Sequence, residues 1–480
     1  MRSNLTLLTD LYQLTMMYNY SKNECKNRKA IFDLFYRGVG NSYALVCGLE
    51  QVIDYIENLK FTDDDIEYLR SLNKFDEDFF KELKKFKFTG NMYAVPEGKI
   101  VFPYEPILIV EAPLFQAQLI ETAILCILNH QTLIATKTMK IMENAQGKPV
   151  AEFGLRRAQG PDAALYGARA AVIAGCSSTS NVLAGKMFNI PISGTHSHSF
   201  VMSFPDELTA FREYAKTFPN ECLLLVDTYD TLKSGVPNAI IVFDELKAKG
   251  YKPVGVRLDS GDLAYLSKRV REMLDSAGHN EVKIFASSDI DENILRALNA
   301  QNAKIDAYGI GTKLITSDGC PSLGGVYKLA GIENDKGEME PRMKFSDTTE
   351  KVTNPGLKKV VRFFDNKNDK ALADLIALKS EDFSNIDEIE IFDPVFTWKR
   401  KKIKNFHVEE LMQDIFIDGK CVYNIPSIEE IQSTVKKSIN EIWEEYRRDL
   451  NPNTYKVDLS QALYDLKQEI IMQKKNKINE

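Results

Sequence analysis

The sequence lacks the cysteine patterns that indicate a disulfide framework or a structural zinc site. Its seven cysteines are odd in number and widely scattered, and no two form a C-x-x-C pair. Reduced thiols in the cytoplasm are therefore expected. The sequence also lacks an excess of positive charge, because its formal net charge is −7. No nucleic-acid partner is expected, and any anionic ligand must be held by local basic groups.

Long uninterrupted hydrophobic runs are missing as well. The N-terminal residues reach Asp10 before an apolar segment could form, so no signal peptide is expected. The most apolar long stretch, 117–141, is broken by Glu121, Asn129 and Lys137, which favours a buried helix over a membrane span. We therefore expect a cytoplasmic protein with no membrane partner.

Two common nucleotide-binding motifs are absent too, since the chain has neither a Rossmann G-x-G-x-x-G nor a Walker A lysine motif. From about residue 150 to 330, short β-branched runs alternate with helical patterns. This alternation predicts parallel strands, and the number of units favours an irregular TIM-like (β/α) barrel with a polar loop after each strand. The predicted strands are 150–153, 190–193, 222–226, 253–258, 282–286 and 305–310.

The two ends of the chain carry further strand and helix patterns, and its 480 residues are enough for two or three domains. We expect 1–125 and 336–480 to form one discontinuous α/β (α+β) flanking domain built from both termini, and 126–335 to form the barrel. Strands are predicted at 30–36, 44–46, 99–102, 107–111, 359–364, 389–393 and 395–399, and helices at 9–20 and 427–449.

Two histidines follow the predicted strand 190–193, in the segment G-T-H-S-H-S-F at 194–200. His196 and His198 could include a catalytic histidine, be structural hydrogen-bonding residues or bind a metal ion. A catalytic imidazole needs a partner that fixes its tautomer. The next strand ends in Asp227, which is the better candidate to accept a hydrogen bond from a histidine; Asp230 could equally be a helix N-cap.

The later strand ends offer groups that suit a sugar phosphate. In V-R-L-D-S-G-D-L at 256–263, the Arg257 guanidinium can donate two parallel hydrogen bonds to an anion, and Asp259 can accept hydrogen bonds from vicinal hydroxyls. Asp262 could instead be only a helix N-cap. The loops at 286–291 and 308–314 are rich in glycine and hydroxyl residues, and such loops expose N–H groups to phosphate. A 5-phosphoribosyl group beside a planar acid would satisfy these strand ends.

Taken in order, the motifs resemble those of the nicotinate phosphoribosyltransferase family nearly from end to end. They are L-T-D-L-Y-Q-L-T-M, F-Y-R-G-V-G at 35–40, E-F-G-L-R-R-A-Q-G-P-D, S-T-S-N-V-L-A-G, G-T-H-S-H-S-F, V-D-T-Y-D-T, V-R-L-D-S-G-D-L and G-I-G-T. The resemblance implies an enzyme that converts nicotinate and 5-phosphoribosyl 1-pyrophosphate into nicotinate mononucleotide and pyrophosphate, the first step of NAD synthesis from nicotinate. It also implies coupling to ATP hydrolysis through a phosphohistidine, a requirement for Mg²⁺, and a homodimer with its active site at the subunit interface.

The resemblance also implies roles for individual residues. His198 matches the phosphorylated histidine and Asp227 the acid beside it. Phe153 matches the aromatic that stacks on the pyridine ring, and Tyr12 the aromatic offered by the second subunit. The remaining residues assigned to substrate binding are Thr195 in the histidine segment, Arg156 and Arg257 near the carboxylate and phosphates, Asp259 on the ribose diol, and Ser287, Ser288, Gly309 and Gly311 on the phosphate loops.

Asn181 is expected to select the substrate. The related nicotinamide enzyme has an aspartate at this position, which would repel a carboxylate, whereas asparagine can donate to one. Three alternatives stay open: a phosphoribosyltransferase for nicotinamide or quinolinate, a sugar-phosphate barrel lyase, and a non-catalytic phosphoribosyl pyrophosphate binder. The lyase would need a Schiff-base lysine or a metal triad, and Lys313 is the lysine best placed for the first.

Overall fold

The computed structural model describes residues 4–38, 42–346, 348 and 351–479. The chain divides into two compact units: unit 1 comprises 1–133 and 322–480, and unit 2 comprises 134–321. A separate flanking domain built from both ends of the chain is thus present. Within the motif at 35–40, Val39 and Gly40 lie outside the described residues.

The first part of the chain forms short buried strands and capped helices. One helix begins with a capping box, in which Thr62 accepts from the Asp65 backbone N–H and Asp65 accepts in return from that of Thr62. The elements are α1 Leu11–Ser21, β1 Lys29–Tyr36, β2 Ala44–Leu45, α2 Leu49–Glu57, α3 Asp63–Ser71, α4 Glu77–Lys84, β3 Asn91–Ala94, β4 Ile100–Val101, β5 Leu108–Pro113, α5 Leu114–Leu119 and α6 Glu121–Asn144.

The middle of the chain alternates short strands with helices. Asp206, Asp262 and Asp291 each accept a hydrogen bond from the backbone two or three residues into the helix that follows, so these aspartates begin three of the helices. The elements are β6 Val150–Glu152, α7 Pro161–Ile173, β7 Ser178–Thr179, α8 Val182–Phe188, α9 His198–Met202, α10 Glu207–Thr217, β8 Leu223–Leu225, α11 Val236–Ala248, β9 Gly255–Leu258, α12 Leu263–Ser276, β10 Lys283–Ser288, α13 Glu292–Ala300, β11 Ala307–Ile310 and α14 Thr312–Ile315.

The last part of the chain is mostly strands. The strand predicted at 395–399 is wrong, because Asp393 accepts from the backbone N–H groups of Val395 and Phe396 and closes a turn there. The elements are β12 Gly325–Glu333, β13 Met339–Pro341, β14 Lys358–Asp365, β15 Ala371–Leu378, β16 Glu388–Phe392, β17 Arg400–Lys404, β18 Phe406–Glu410, β19 Gln413–Ile417, β20 Lys420–Cys421, α15 Ile428–Glu441, α16 Glu444–Arg447, β21 Val457–Leu459 and α17 Gln461–Asn479.

Unit 1 is built mainly on antiparallel pairing, with one parallel pair between β15 and β21. Its largest sheet has the order β13–β12–β1–β5–β3–β19–β20, with β1 between β12 and β5. A second sheet has the order β18–β14–β15–β21, and Phe363 and Leu375 on its middle strands belong to a buried apolar cluster. Among the described residues, no helix is both long enough and apolar enough to cross a membrane.

Unit 2 contains a parallel sheet with the order β7–β6–β11–β10–β9–β8. The strand predicted at 190–193 is reduced to one bridge between Ile192 and Thr179 beside β7. No pairing in the described part of the chain joins that edge to β8, which has only three residues, so a closed barrel is not confirmed. Parallel pairing still brings the carboxyl ends of the strands to one edge, where the candidate residues of unit 2 lie.

Candidate active site

The two histidines of the 194–200 segment have different environments. His196 is buried, with 8% of its surface exposed, and its Nε2 accepts a hydrogen bond from the Leu225 N–H of β8 at 3.3 Å. Its ring packs against Tyr214, with the ring centroids 4.7 Å apart. Burial lowers the pKa of His196 to about 4. His196 is therefore a neutral structural residue, and a metal-ligand role for it is not supported.

His198 is the histidine that remains accessible. It is the first residue of α9, and 40% of its side chain is exposed. Its Nδ1 lies 3.2 Å from the Thr228 hydroxyl, and its Nε2 lies 3.8 Å from a carboxylate oxygen of Asp259. The accessible imidazole thus has one nitrogen at a hydroxyl and the other near an acid.

The predicted hydrogen bond between Asp227 and a histidine is wrong. Asp227 Oδ2 instead accepts from the Asp259 backbone N–H at 2.9 Å and from the Ser260 hydroxyl at 2.7 Å. The chain bends at Thr228 after β8, and there Thr228 contacts His198 while Asp227 turns towards the end of β9. Sequence reasoning missed Thr228, although it lies within the V-D-T-Y-D-T motif. Asp230 has the alternative role of a cap, accepting from two backbone N–H groups of the next turn.

Asp259 connects the histidine to the next strand end. Its Oδ1 accepts a hydrogen bond from the Ser287 hydroxyl at 2.5 Å, while its Oδ2 faces His198. The Asp259 side chain is 38% exposed, whereas Ser287 is buried and Ser288 is exposed. An exposed carboxylate oriented from two sides suits the acceptance of hydroxyl hydrogen bonds.

Arg257 holds the chain before His198. Its guanidinium donates to the Thr195 hydroxyl at 2.8 Å and to the His196 carbonyl oxygen at 3.0 Å. Burial lowers the pKa of Arg257, and the charge of Asp259 opposes that shift. Both terminal nitrogens of Arg257 therefore contact protein groups, whereas its buried Nε has no hydrogen-bond partner. Arg156, exposed in a short turn after β6, is the more accessible guanidinium.

Phe153 lies against two glycines at the end of β11. A Cβ atom on Gly309 would lie 2.4 Å from the Phe153 ring, and one on Gly311 would lie 3.0 Å from the Phe153 carbonyl oxygen. A side chain at position 309 would therefore displace the Phe153 ring, and one at position 311 would press against the backbone of this loop. These two glycines were predicted to bind phosphate. In the structure they pack against Phe153.

Asn181 has a structural role that the sequence analysis did not assign. It is 2% exposed, its Oδ1 accepts from the Ala184 backbone N–H at 3.1 Å, and its Nδ2 donates to the Ala164 carbonyl oxygen at 3.3 Å. Its amide therefore caps α8 and does not face solvent, so the predicted donation to a substrate carboxylate is not seen.

Tyr12 lies in unit 1, on α1, with 49% of its surface exposed. Burial and the nearby charge of Glu121 raise its pKa. Its contribution to a second subunit stays a prediction.

The described residues do not support lyase chemistry. The Lys313 ammonium pairs with Asp318 at 2.5 Å, and this hydrogen bond raises the pKa of Lys313, whereas a Schiff-base lysine needs a lowered pKa. No group of three or more histidine, cysteine, aspartate or glutamate side chains in the described ranges could hold a metal ion.

These features define an α/β protein whose candidate site is assembled from loops at the carboxyl edge of a parallel sheet. Models of the nicotinate phosphoribosyltransferase (NAPRTase) N-terminal domain, family and C-terminal domain match residues 7–129, 149–336 and 357–467, respectively. The chain belongs to the nicotinate phosphoribosyltransferase family.

Individual relatives agree with this assignment. The chain is 48% identical over 479 residues to nicotinate phosphoribosyltransferase from Bacillus subtilis, covering 99% of this chain and 97% of the relative. It is 32% identical over 520 residues to the human enzyme, covering 96% and 95%. The crystal structure of human nicotinic acid phosphoribosyltransferase aligns with a TM-score of 0.84 at 30% identity, covering 97% of this chain and 100% of that chain.

Proposed function

We propose that the chain forms nicotinate mononucleotide and pyrophosphate from nicotinate and 5-phosphoribosyl 1-pyrophosphate, in the first step of NAD synthesis from nicotinate. We further propose that ATP hydrolysis is coupled to this transfer through a phosphohistidine at His198. Family membership supports the transfer. The observation that carries the coupling is the accessible imidazole of His198 between Thr228 and Asp259.

The two ring nitrogens of His198 suit different tasks. With its proton on Nδ1 and donated to the Thr228 hydroxyl, the ring keeps a lone pair on Nε2, which lies beyond hydrogen-bond distance of Asp259. Nε2 attacks the γ-phosphorus of ATP, an N–P bond forms, and the P–O bond to ADP breaks. Water later breaks the N–P bond and releases phosphate, which restores the imidazole.

Phosphorylation changes the charge next to the sugar-binding acid. The phosphoryl group brings about −1.5 to −2 charges and new acceptor oxygens to the position facing Asp259. Repulsion between the two groups links the state of His198 to the carboxylate assigned to the ribose hydroxyls. Phosphorylation of His198 by ATP therefore alters how this site binds the ribose.

The transfer step breaks the bond between the anomeric carbon and pyrophosphate and forms one to the pyridine nitrogen. Phe153 and Arg156 would hold the pyridine ring and its carboxylate. Asp227 would hold Mg²⁺ together with oxygens of the diphosphate, since this ion uses one or two carboxylates plus substrate phosphates. A buried Asp227 Oδ1 without a hydrogen-bond partner is consistent with that role. Bound Mg²⁺ would supply charge neutralisation on the leaving pyrophosphate.

Three further parts of the proposal are supported only by the family resemblance. They are the homodimer, the active site at its subunit interface with Tyr12 from the partner, and the cytoplasmic location.

The test is incubation with nicotinate, phosphoribosyl pyrophosphate and Mg²⁺, with and without ATP, followed by quantification of the mononucleotide and ADP. We expect His198→Ala to lose ADP formation and any stimulation by ATP, because no nucleophile remains to accept the phosphoryl group. The matched control is His407→Ala, which removes a half-exposed histidine of unit 1 that is bonded to Asn366.

Two outcomes would contradict the proposal. ADP formation by His198→Ala in proportion to product would show that the phosphoryl group goes elsewhere. Binding of phosphoribosyl pyrophosphate without formation of a mononucleotide would favour the non-catalytic binder. Replacing nicotinate by nicotinamide tests the nicotinamide alternative, which predicts the amide mononucleotide as the main product.

A further inference from the structure

Glu152, at the end of β6, is a buried acid that the proposed reaction leaves without a role. Its side chain has no exposed surface. Its Oε1 accepts the Gly154 backbone N–H, and its Oε2 accepts the Thr179 hydroxyl at 2.6 Å. Both donors are neutral groups. Burial raises the pKa of Glu152, and these two hydrogen bonds oppose the shift.

The two donors lie on different strand-end loops. Gly154 directly follows Phe153 and begins the turn that carries Arg156. Thr179 ends β7, and its hydroxyl oxygen also accepts the Asn181 backbone N–H at 3.0 Å. One carboxylate therefore connects the loop of the aromatic and the guanidinium with the loop that begins α8.

The backbone on both sides of Phe153 is held. The Phe153 N–H donates to the Ile310 carbonyl oxygen at 2.8 Å, and the following N–H, that of Gly154, donates to Glu152. A Cβ atom on Gly154 would lie 2.7 Å from Glu152 Oε1, so the chain passes directly over the carboxylate. These contacts hold the backbone of Phe153, and its ring lies against Gly309.

We propose that Glu152 is a positioning residue for the pyridine ring of the substrate. Through the Gly154 N–H it sets the orientation of Phe153 and Arg156, and through Thr179 it aligns the neighbouring loop. This inference rests on the proposed function, in which Phe153 and Arg156 hold nicotinate.

The test compares the full-length wild type with Glu152→Gln, which keeps the size and shape of the side chain but replaces one acceptor oxygen by a donor. Either Gly154 N–H or the Thr179 hydroxyl then loses its acceptor. We expect the KM and the calorimetric dissociation constant for nicotinate to rise roughly tenfold, as for the loss of one hydrogen bond. The KM for phosphoribosyl pyrophosphate should change less than about twofold, since that substrate does not depend on the Phe153 ring.

Variants at Thr179 separate positioning from general stability. Thr179→Val should reproduce the effect on nicotinate, and Thr179→Ser, which keeps the hydroxyl, should restore wild-type affinity. The matched control is Glu207→Gln, which alters another buried glutamate of unit 2 that accepts from Ser234 and Asn238. It should affect thermal stability without a selective effect on nicotinate.

The outcomes distinguish this inference from the proposed function. If the wild type makes the mononucleotide but Glu152→Gln binds nicotinate normally, the positioning role alone is overturned. The same holds if the KM values of both substrates and the melting temperature change together, as a purely structural role predicts. A wild type that makes no mononucleotide overturns the proposed function and, with it, this inference.

Discussion

The charged groups inside unit 1 and those at the strand ends of unit 2 are arranged in opposite ways. In unit 1, Arg362 and Asp374 have no exposed side-chain surface, and the guanidinium donates to both carboxylate oxygens, at 2.8 and 2.6 Å. In unit 2, the side chains of His198 and Asp259 are 40% and 38% exposed, and His198 Nε2 lies 3.8 Å from Asp259 Oδ2. The first pair is occupied by its own contacts, whereas the second remains available to ligands.

Further partners surround the buried pair of unit 1, although Arg362 Nη1 is buried without a hydrogen-bond partner. The Tyr455 hydroxyl donates to Asp374 at 2.9 Å, and Arg362 also donates to the Ile100 carbonyl oxygen. Burial and the charge of Asp374 raise the pKa of Glu105 well above its usual range, while Arg362 opposes that shift. The comparison teaches that a charged cluster by itself does not indicate a reactive site; exposure of the charged groups to solvent does.

The largest effect on stability is expected when the buried pair of unit 1 is broken. Arg362→Met leaves Asp374 buried without its cation, which should lower the free energy of unfolding by about 3–5 kcal/mol. Denaturant unfolding followed by circular dichroism measures the change. The double variant Arg362→Met with Asp374→Leu should recover much of the loss. A double variant as unstable as the single one would show that packing, and not the uncompensated charge, is responsible.

A smaller, pH-dependent effect is expected from His196 in unit 2. Its folded-state pKa of about 4 lies below the value of about 6.5 in an unfolded chain. Between these pH values the unfolded chain binds the proton that the folded unit excludes. This contribution is fully present above pH 6.5 and is lost as the pH falls towards 4, at most roughly 3 kcal/mol.

The variant His196→Gln tests this contribution, because glutamine can accept the Leu225 N–H but does not titrate. Its melting temperature should fall less steeply than that of the wild type between pH 6.5 and 4. The difference between the two proteins at pH 8 is the control, since it reports packing alone. Parallel curves across the whole range would rule out His196 as the source.

The smallest effect on stability, with a large effect on activity, is expected at the strand ends. Asp259→Asn keeps the shape of the side chain, and its exposure limits the change in unfolding free energy to about 0.5 kcal/mol. Turnover should fall at least about a hundredfold, since the amide offers one acceptor oxygen in place of two and carries no charge. A variant that retains turnover, or one that loses stability as Arg362→Met does, would remove the contrast between the two regions.

Strands with strong apolar runs were predictable, and weaker ones were not. The prediction at 359–364 corresponds to β14, and the one at 282–286 overlaps β10. In contrast, β7 was missed because Ser178 and Thr179 are hydroxyl residues typical of a loop, and they form a strand only because β6 offers its backbone groups. Closure of the predicted TIM-like barrel is not confirmed, and it too depends on pairing between distant segments at the sheet edges.

The candidate site, like the fold, was predictable only in part. The types of the site residues and their place after the strands were evident from the motifs. Their hydrogen-bond partners were not evident. Thr228, and not Asp227, contacts His198, and the Asn181 side chain caps a helix. The side chains of neighbouring residues in a motif point in different directions, and these directions depend on how the strands around them pair.

The sequence by itself determined the family, the strand–helix alternation and the residues that follow each strand, because local periodicity and motif order are written along the chain. Only the tertiary structure decided which histidine is buried, which acid faces the other, and that Glu152 connects two loops. Burial and hydrogen-bond partners depend on segments far apart in the sequence, and these contacts determine protonation and orientation.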